Sequence, residues 1–112
     1  MATTGTRSDE HRDFWEVAEP FLATGRLVEG TMMGHQCLRT SKSDQFVATV
    51  ERASGNLVVK LPSGRVANLI ESGDGLAFAP AGKVFKEWVS ITVYDEERWT
   101  ALIDESMSFV DG

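Results

Sequence analysis

The sequence predicts one α+β domain whose sheet is mainly antiparallel and five-stranded, in the order α-β-β-β-α-β-β-α. Three observations lead there. Apolar residues recur at helical spacing near both ends of the chain, they alternate at period two in its middle, and turn-forming residues separate the alternating runs. With 112 residues, 42% hydrophobic and 25% charged, the chain suits one compact domain with an apolar core.

Residues 1–8 read as a polar tail and residues 9–112 as the domain. Ser8 is placed to cap a first helix, with Asp9 and Glu10 in its first turn, where carboxylates suit the helix dipole. Phe14, Val17, Ala18 and Phe21 give that helix a single apolar stripe. Pro20 lacks the N–H that would bond Glu16, so an end or a kink is expected there. Thr31 to Arg39 reads as one strand, closed by the polar loop Thr40 to Asp44. Phe46, Ala48 and Val50 alternate with Gln45, Val47, Thr49 and Glu51, Ala53-Ser54-Gly55-Asn56 turns the chain, and Leu57, Val59 and Leu61 alternate with Val58 and Lys60. These three strands form a meander. Ser63 then caps a short helix with Val66, Leu69 and Ile70 inward, and Gly73 stops it. Leu76 to Pro80 reads as an edge strand. Lys86 to Val93 alternates, with Val89, Ile91 and Val93 on one face and Trp88, Ser90 and Thr92 on the other. Asp95 caps a last helix whose buried stripe is Trp99, Leu102, Ile103, Ser106, Met107 and Phe109 or Val110.

Two terminal helices with single stripes cover one face of such a sheet. Val47, Val58 and Trp88 are expected on the other face, where together they form an apolar patch suited to an interface or groove.

The formal net charge of −6 is unevenly spread. Residues 1–20 carry −3, residues 95–112 carry −5, and residues 21–94 carry +2. Bulk nucleic-acid binding is disfavoured, because its affinity comes mainly from cations displacing counterions. No apolar run reaches the ~18–20 residues that span a bilayer. The polar Met1–Arg12 segment has no apolar core of a signal peptide, so a cytoplasmic location and no membrane partner are expected. Cys37 is the sole cysteine, which excludes an intrachain disulfide and a thiolate zinc cage.

Catalytic signatures are weak. Gly75 to Lys83 departs from a phosphate loop: six residues separate Gly75 from Gly82, and Val84 follows Lys83, so it reads as a plain loop. His35 and Cys37 share a strand face, and with His11 they are the only three-ligand metal set worth weighing. A lone cysteine is more often a small buried hydrophobe, and a Cys37–His35 nucleophile pair has no third orienting group. Glu29, Glu51, Glu71 and Glu87 are scattered, with no close pair for acid–base work. The best remaining cluster is basic: Arg39, Lys42, Arg52, Lys60, Arg65, Lys83 and Lys86. Lys60 shares a face with Val58, and Lys86 with Trp88, a pairing that suits an anionic ligand or a stacked base. A solvated strand face with ordinary lysines is the plainer account. Trp99 belongs to a helix stripe, Trp15 to a helix margin, and Trp88 is the aromatic best placed for an interface.

Gly30-Thr31-Met32-Met33-Gly34, Phe46-Val47-Ala48, Leu57-Val58-Val59-Lys60-Leu61, the short helix to Gly73, Phe78-Ala79-Pro80 and Lys86-Glu87-Trp88-Val89 together resemble two related families. These are the N-terminal domain of TfoX/Sxy competence regulators and the MmcQ/YjbR family. Met33-Gly34 stands where TfoX-type domains have Met-Phe-Gly. Val59-Lys60-Leu61, Glu87-Trp88-Val89 and Ser106 look more like YjbR-type sequences. The likeness spans roughly residues 10–110. It implies a two-layer α-β3-α-β2-α fold like that of type III secretion chaperones, with no catalytic residue. It also implies a regulatory role, or the DNA binding with which YjbR-type proteins are often labelled.

The expectation is a small, non-enzymatic, regulatory protein–protein interaction module, with no cofactor or metal. Its candidate interface or ligand face is Val47, Val58, Lys60, Lys86 and Trp88. The partner is an unidentified protein or a second copy of the chain on the sheet surface. Nucleic-acid binding through the central basic residues is the alternative.

Overall fold

The computed structural model describes residues 11–32 and 35–111. The chain runs α1 (Arg12–Ala23), β1 (Leu27–Met32), β2 (His35–Thr40), β3 (Phe46–Val50), β4 (Leu57–Lys60), α2 (Ser63–Glu71), β5 (Gly75–Ala77), a 3-10 turn (Pro80–Gly82), β6 (Trp88–Ile91) and α3 (Glu96–Asp111). The expected Ser8 cap, the tail before it and Met33-Gly34 lie outside the described residues. Among these residues no helix is long and apolar enough to cross a membrane.

The α+β class and antiparallel sheet are as expected, but the sheet has six strands rather than five, in the order β1-β2-β3-β4-β6-β5. The extra strand comes from the segment read as one strand from Thr31. Met32 pairs with His35 and Leu27 with Thr40, so the chain doubles back on itself as a hairpin. Gly30 falls just before the strand expected from Thr31. It lies inside β1, where a Cβ would come within 2.5 Å of Arg39 Cδ, so the missing side chain makes room for Arg39 to cross.

A second departure is the bulge between β2 and β3. Leu38 pairs with Ala48 and Arg39 with Phe46, leaving Val47 as the extra residue. The bulge ends simple alternation. Phe46 points to one face, while Val47 and Ala48 both join the core on the other. Val47 is therefore fully buried on the helix side, which corrects its expected place on the open face. The buried Ser106 hydroxyl of α3 donates to the Val47 carbonyl at 3.3 Å, supplying a partner at the irregular position.

All three helices pack on that one side. Phe14, Val17, Ala18 and Phe21 of α1, Val66 and Leu69 of α2, and Trp99, Leu102 and Ile103 of α3 form one core with Leu38, Leu57, Val59, Val89 and Ile91. Each fully buried large apolar side chain contributes about 1.5–3 kcal/mol relative to exposure. Pro20 does not end α1. The turn beyond it is closed by the Thr24 N–H and hydroxyl, which both donate to the Pro20 carbonyl, at 3.2 and 3.1 Å. Buried Phe21 anchors the same turn. In α2, Ser63 is the first helical residue and Pro62 precedes it as the cap position, so the expected Ser63 cap moves by one residue. Gly73, at φ +87°, closes α2: its N–H donates to Ile70 O at 3.1 Å and the Asp74 N–H to Leu69 O at 3.0 Å. Ile70 is exposed, not inward. Asp95 does cap α3, its Oδ1 accepting the Arg98 N–H at 3.0 Å.

Candidate functional site

The face of the sheet away from the helices is not bare. Cys37, Phe46, Val58 and Trp88 are buried there, with Met32, Phe78 and Phe85 packed against them. The cover is a segment, residues 78–87, folded back over the sheet. It is pinned by the Phe85 N–H to Phe78 O at 3.0 Å and the Trp88 N–H to Phe85 O at 3.1 Å. Trp88 is only 8% exposed. Its indole stacks on Phe46, centroids 4.3 Å apart at 13°, and on Phe78, 5.4 Å apart at 25°. Phe85 leans on the same ring at 5.0 Å. The expected open apolar patch is therefore largely covered by the chain's own aromatic residues.

A cavity of about 260 Å³ remains beside this cluster. Thr49 and Val58, directly paired across β3 and β4, lie in its lining. Met32 and His35 come from the end of the first hairpin, and Phe46, Phe78, Pro80 and Trp88 complete the apolar wall. Glu51 and Arg52 line it from the β3–β4 turn. The Glu51 carboxylate accepts from the hydroxyls of Ser54 at 3.0 Å and Ser90 at 3.3 Å, and Asn56 Nδ2 donates to the Ser90 hydroxyl at 3.1 Å. The Thr49 hydroxyl donates to Gln36 O at 2.6 Å. These groups are held by one another and by backbone, an arrangement that orients a carboxylate but pairs it with no acid or base.

The expected site residues divide. Val58 and Trp88 do share the helix-free face and both line the cavity. Lys60 sits directly across from Trp88, at the cavity's Trp88 side, and Lys86 is exposed on the covering segment. Val47 is on the other side of the sheet, for the bulge reason given above. The seven central cations do not form one patch. Arg65 belongs to the helix layer, where its Nε bonds Glu105 at 2.8 Å. Arg39 is tied to Asp44, side chain and backbone, at 2.9 and 2.7 Å.

Cys37 is buried, and burial pushes its thiol above the ordinary range against a smaller opposing pull from Arg39. A thiol held protonated is a poor nucleophile. His11 begins α1 near Gly55, in a separate cavity with Asn56 and Trp99, so it does not join His35 and Cys37. Its Nε2 is buried with no hydrogen-bond partner among the described residues. Among those residues no three His, Cys, Asp or Glu side chains are grouped to hold a metal ion. Trp99 is core, its Nε1–H donating to Val93 O at 3.0 Å, and Trp15 sits half-buried with its ring edge-on to Phe14.

Sequence reasoning missed Met32, Thr49, Phe78 and Phe85 as site residues. The spacing of Phe78, Phe85 and Trp88 in a segment otherwise rich in small residues was the available signal. Compared with protein-family models, curated proteins and solved structures, the chain finds no match.

Proposed function

We propose that this protein is a non-enzymatic binding module, a regulatory protein–protein interaction domain like the TfoX N-terminal and YjbR domains that its sequence resembles, acting in the cytoplasm. The observation that carries this reading is the 260 Å³, largely apolar cavity on the helix-free face, where the Glu51 carboxylate is held by hydroxyls and paired with no acid or base for catalysis. A cavity this size is smaller than the ~300–1,000 Å³ of typical small-molecule sites. It suits one large apolar side chain from a partner, the kind of anchor that dominates interface energetics. The nucleic-acid alternative is less favoured, because Phe46 and Phe78 already stack on the buried Trp88 ring, which leaves a base little stacking surface there. A second copy of the chain on the sheet face is also less needed, since residues 78–87 already cover much of it.

Titrating toluene, a neutral probe of one aromatic side chain, while following methyl resonances by NMR tests the cavity. Shifts confined to Met32, Val50 and Val58 are expected in the wild type. They should be lost in Ala53→Trp, which plugs the mouth from the exposed turn. Shifts that are absent, or that persist unchanged in the plugged variant, would remove the reading.

A further inference from the structure

The ion pairs of this protein are not distributed like its charges. Arg26, Arg39, Arg65 and Arg98 each hold a carboxylate within 3.1 Å. Among the described residues Arg12, Lys42, Arg52, Lys60, Lys83 and Lys86 form no ion pair. Four of these six, Arg52, Lys60, Lys83 and Lys86, belong to the helix-free side. Arg52 lines the cavity, Lys60 lies across from Trp88, and Lys83 and Lys86 ride on the segment that covers the sheet. The carboxylate at the cavity, Glu51, is already engaged by two hydroxyls. The helix layer is the reverse: α1, α2 and α3 together carry three cations and nine carboxylates. An approaching anionic segment is repelled on one side of the molecule and attracted on the other.

The spacing of the free cations matches an extended chain. Val50 pairs with Leu57, which places Arg52 about five strand positions from Lys60, or roughly 17 Å at ~3.3 Å per residue. Val58, in the cavity lining, falls between them. A peptide with one anchor and acidic residues about three positions to one side and two to the other spans that distance. The lining is mostly apolar, with His35, Thr49 and Glu51 its polar members besides Arg52, and it suits a hydrocarbon side chain better than a sugar-phosphate.

We propose that the helix-free face captures an extended acidic peptide segment. One large apolar side chain of the segment enters the cavity between Val58 and Trp88. Its carboxylates meet Arg52 at one end and Lys60 and Lys86 at the other. This rests on the binding-module reading and names the chemistry of the partner.

Selection of a random nonapeptide library on the folded protein tests it. Enrichment of peptides with one large apolar residue flanked by Asp or Glu is expected. Their affinity should fall about tenfold or more in the combined R52E, K60E and K86E variant, and again between about 50 and about 500 mM salt. It should be lost in A53W, with thermal unfolding confirming that both variants stay folded. Enriched peptides that are neutral or basic overturn the acidic partner; if A53W still abolishes their binding, the binding-module reading survives. Acidic peptides that bind A53W as well as wild type overturn the anchor in the cavity. No enrichment, together with no toluene shifts, overturns both. Salt-sensitive retention of a single-stranded oligonucleotide tighter than any selected peptide would point to nucleic acid instead and also overturn the proposal.

Discussion

The two faces of the sheet are sealed by different means. On one side three helices set regular apolar stripes against β2, β3, β4 and β6, and core residues such as Phe14, Leu38, Leu57 and Ile103 are at most marginally exposed. On the other side a single covering segment lays Phe78 and Phe85 beside Trp88, and a cavity is left over. Helical stripes repeat every turn, so they fill a face evenly. A loop supplies only the side chains its few residues carry, and it leaves gaps where it lifts away. So the evenly filled face is closed by regular stripes, whereas the unevenly filled one keeps a cavity.

Four measurements sharpen or break that contrast. The largest effect is expected on the helix side, where Phe14→Ala removes a fully buried ring and should cost about 3–5 kcal/mol by urea unfolding. Trp88→Ala removes a larger ring from the looser face, where the covering segment can settle inward. A loss of about 2–3 kcal/mol is expected. A loss equal to or above that of Phe14→Ala would erase the distinction between the faces. It would also make Trp88 a structural rather than a binding residue.

Ser106→Ala probes the bulge. It leaves the Val47 carbonyl without its hydroxyl donor and should cost about 1 kcal/mol. No change would mean that the bulge holds itself without α3. The smallest effect concerns Cys37, whose thiol is held above its ordinary range mainly by burial. The folded chain keeps this proton more tightly than the unfolded chain. Stability should therefore be undiminished below the ordinary thiol range near ~8.5 and decline modestly as pH rises beyond it. Labelling by a thiol reagent at pH 8 should run on the order of a hundredfold slower than for a free thiol. Labelling at the free-thiol rate would show that the helix-free cluster opens readily.

Much of the framework was legible in the residues. The stripe of Phe14, Val17, Ala18 and Phe21, the stripe through Trp99, Leu102, Ile103 and Ser106, the Asp95 cap and the Gly73 stop all describe local geometry, and all stand in the structure. The hairpin of β1 and β2 was hidden because Gly30 breaks the apolar pattern inside a strand. Of the candidate site, Val58, Lys60, Lys86 and Trp88 were placed on the correct side, and Val47 was not.

Helix stripes, caps and stops are set by neighbours within a few residues, so the sequence alone determined them, together with the α+β class they build. Only the tertiary structure decided the bulge at Val47, the crossing of Arg39 over Gly30, and the folding of Phe78 and Phe85 onto Trp88. Each of these depends on how the chain doubles back over the sheet or breaks a strict period of two. Such contacts form when whole faces are packed, and local spacing, even that of Phe78, Phe85 and Trp88, does not specify them.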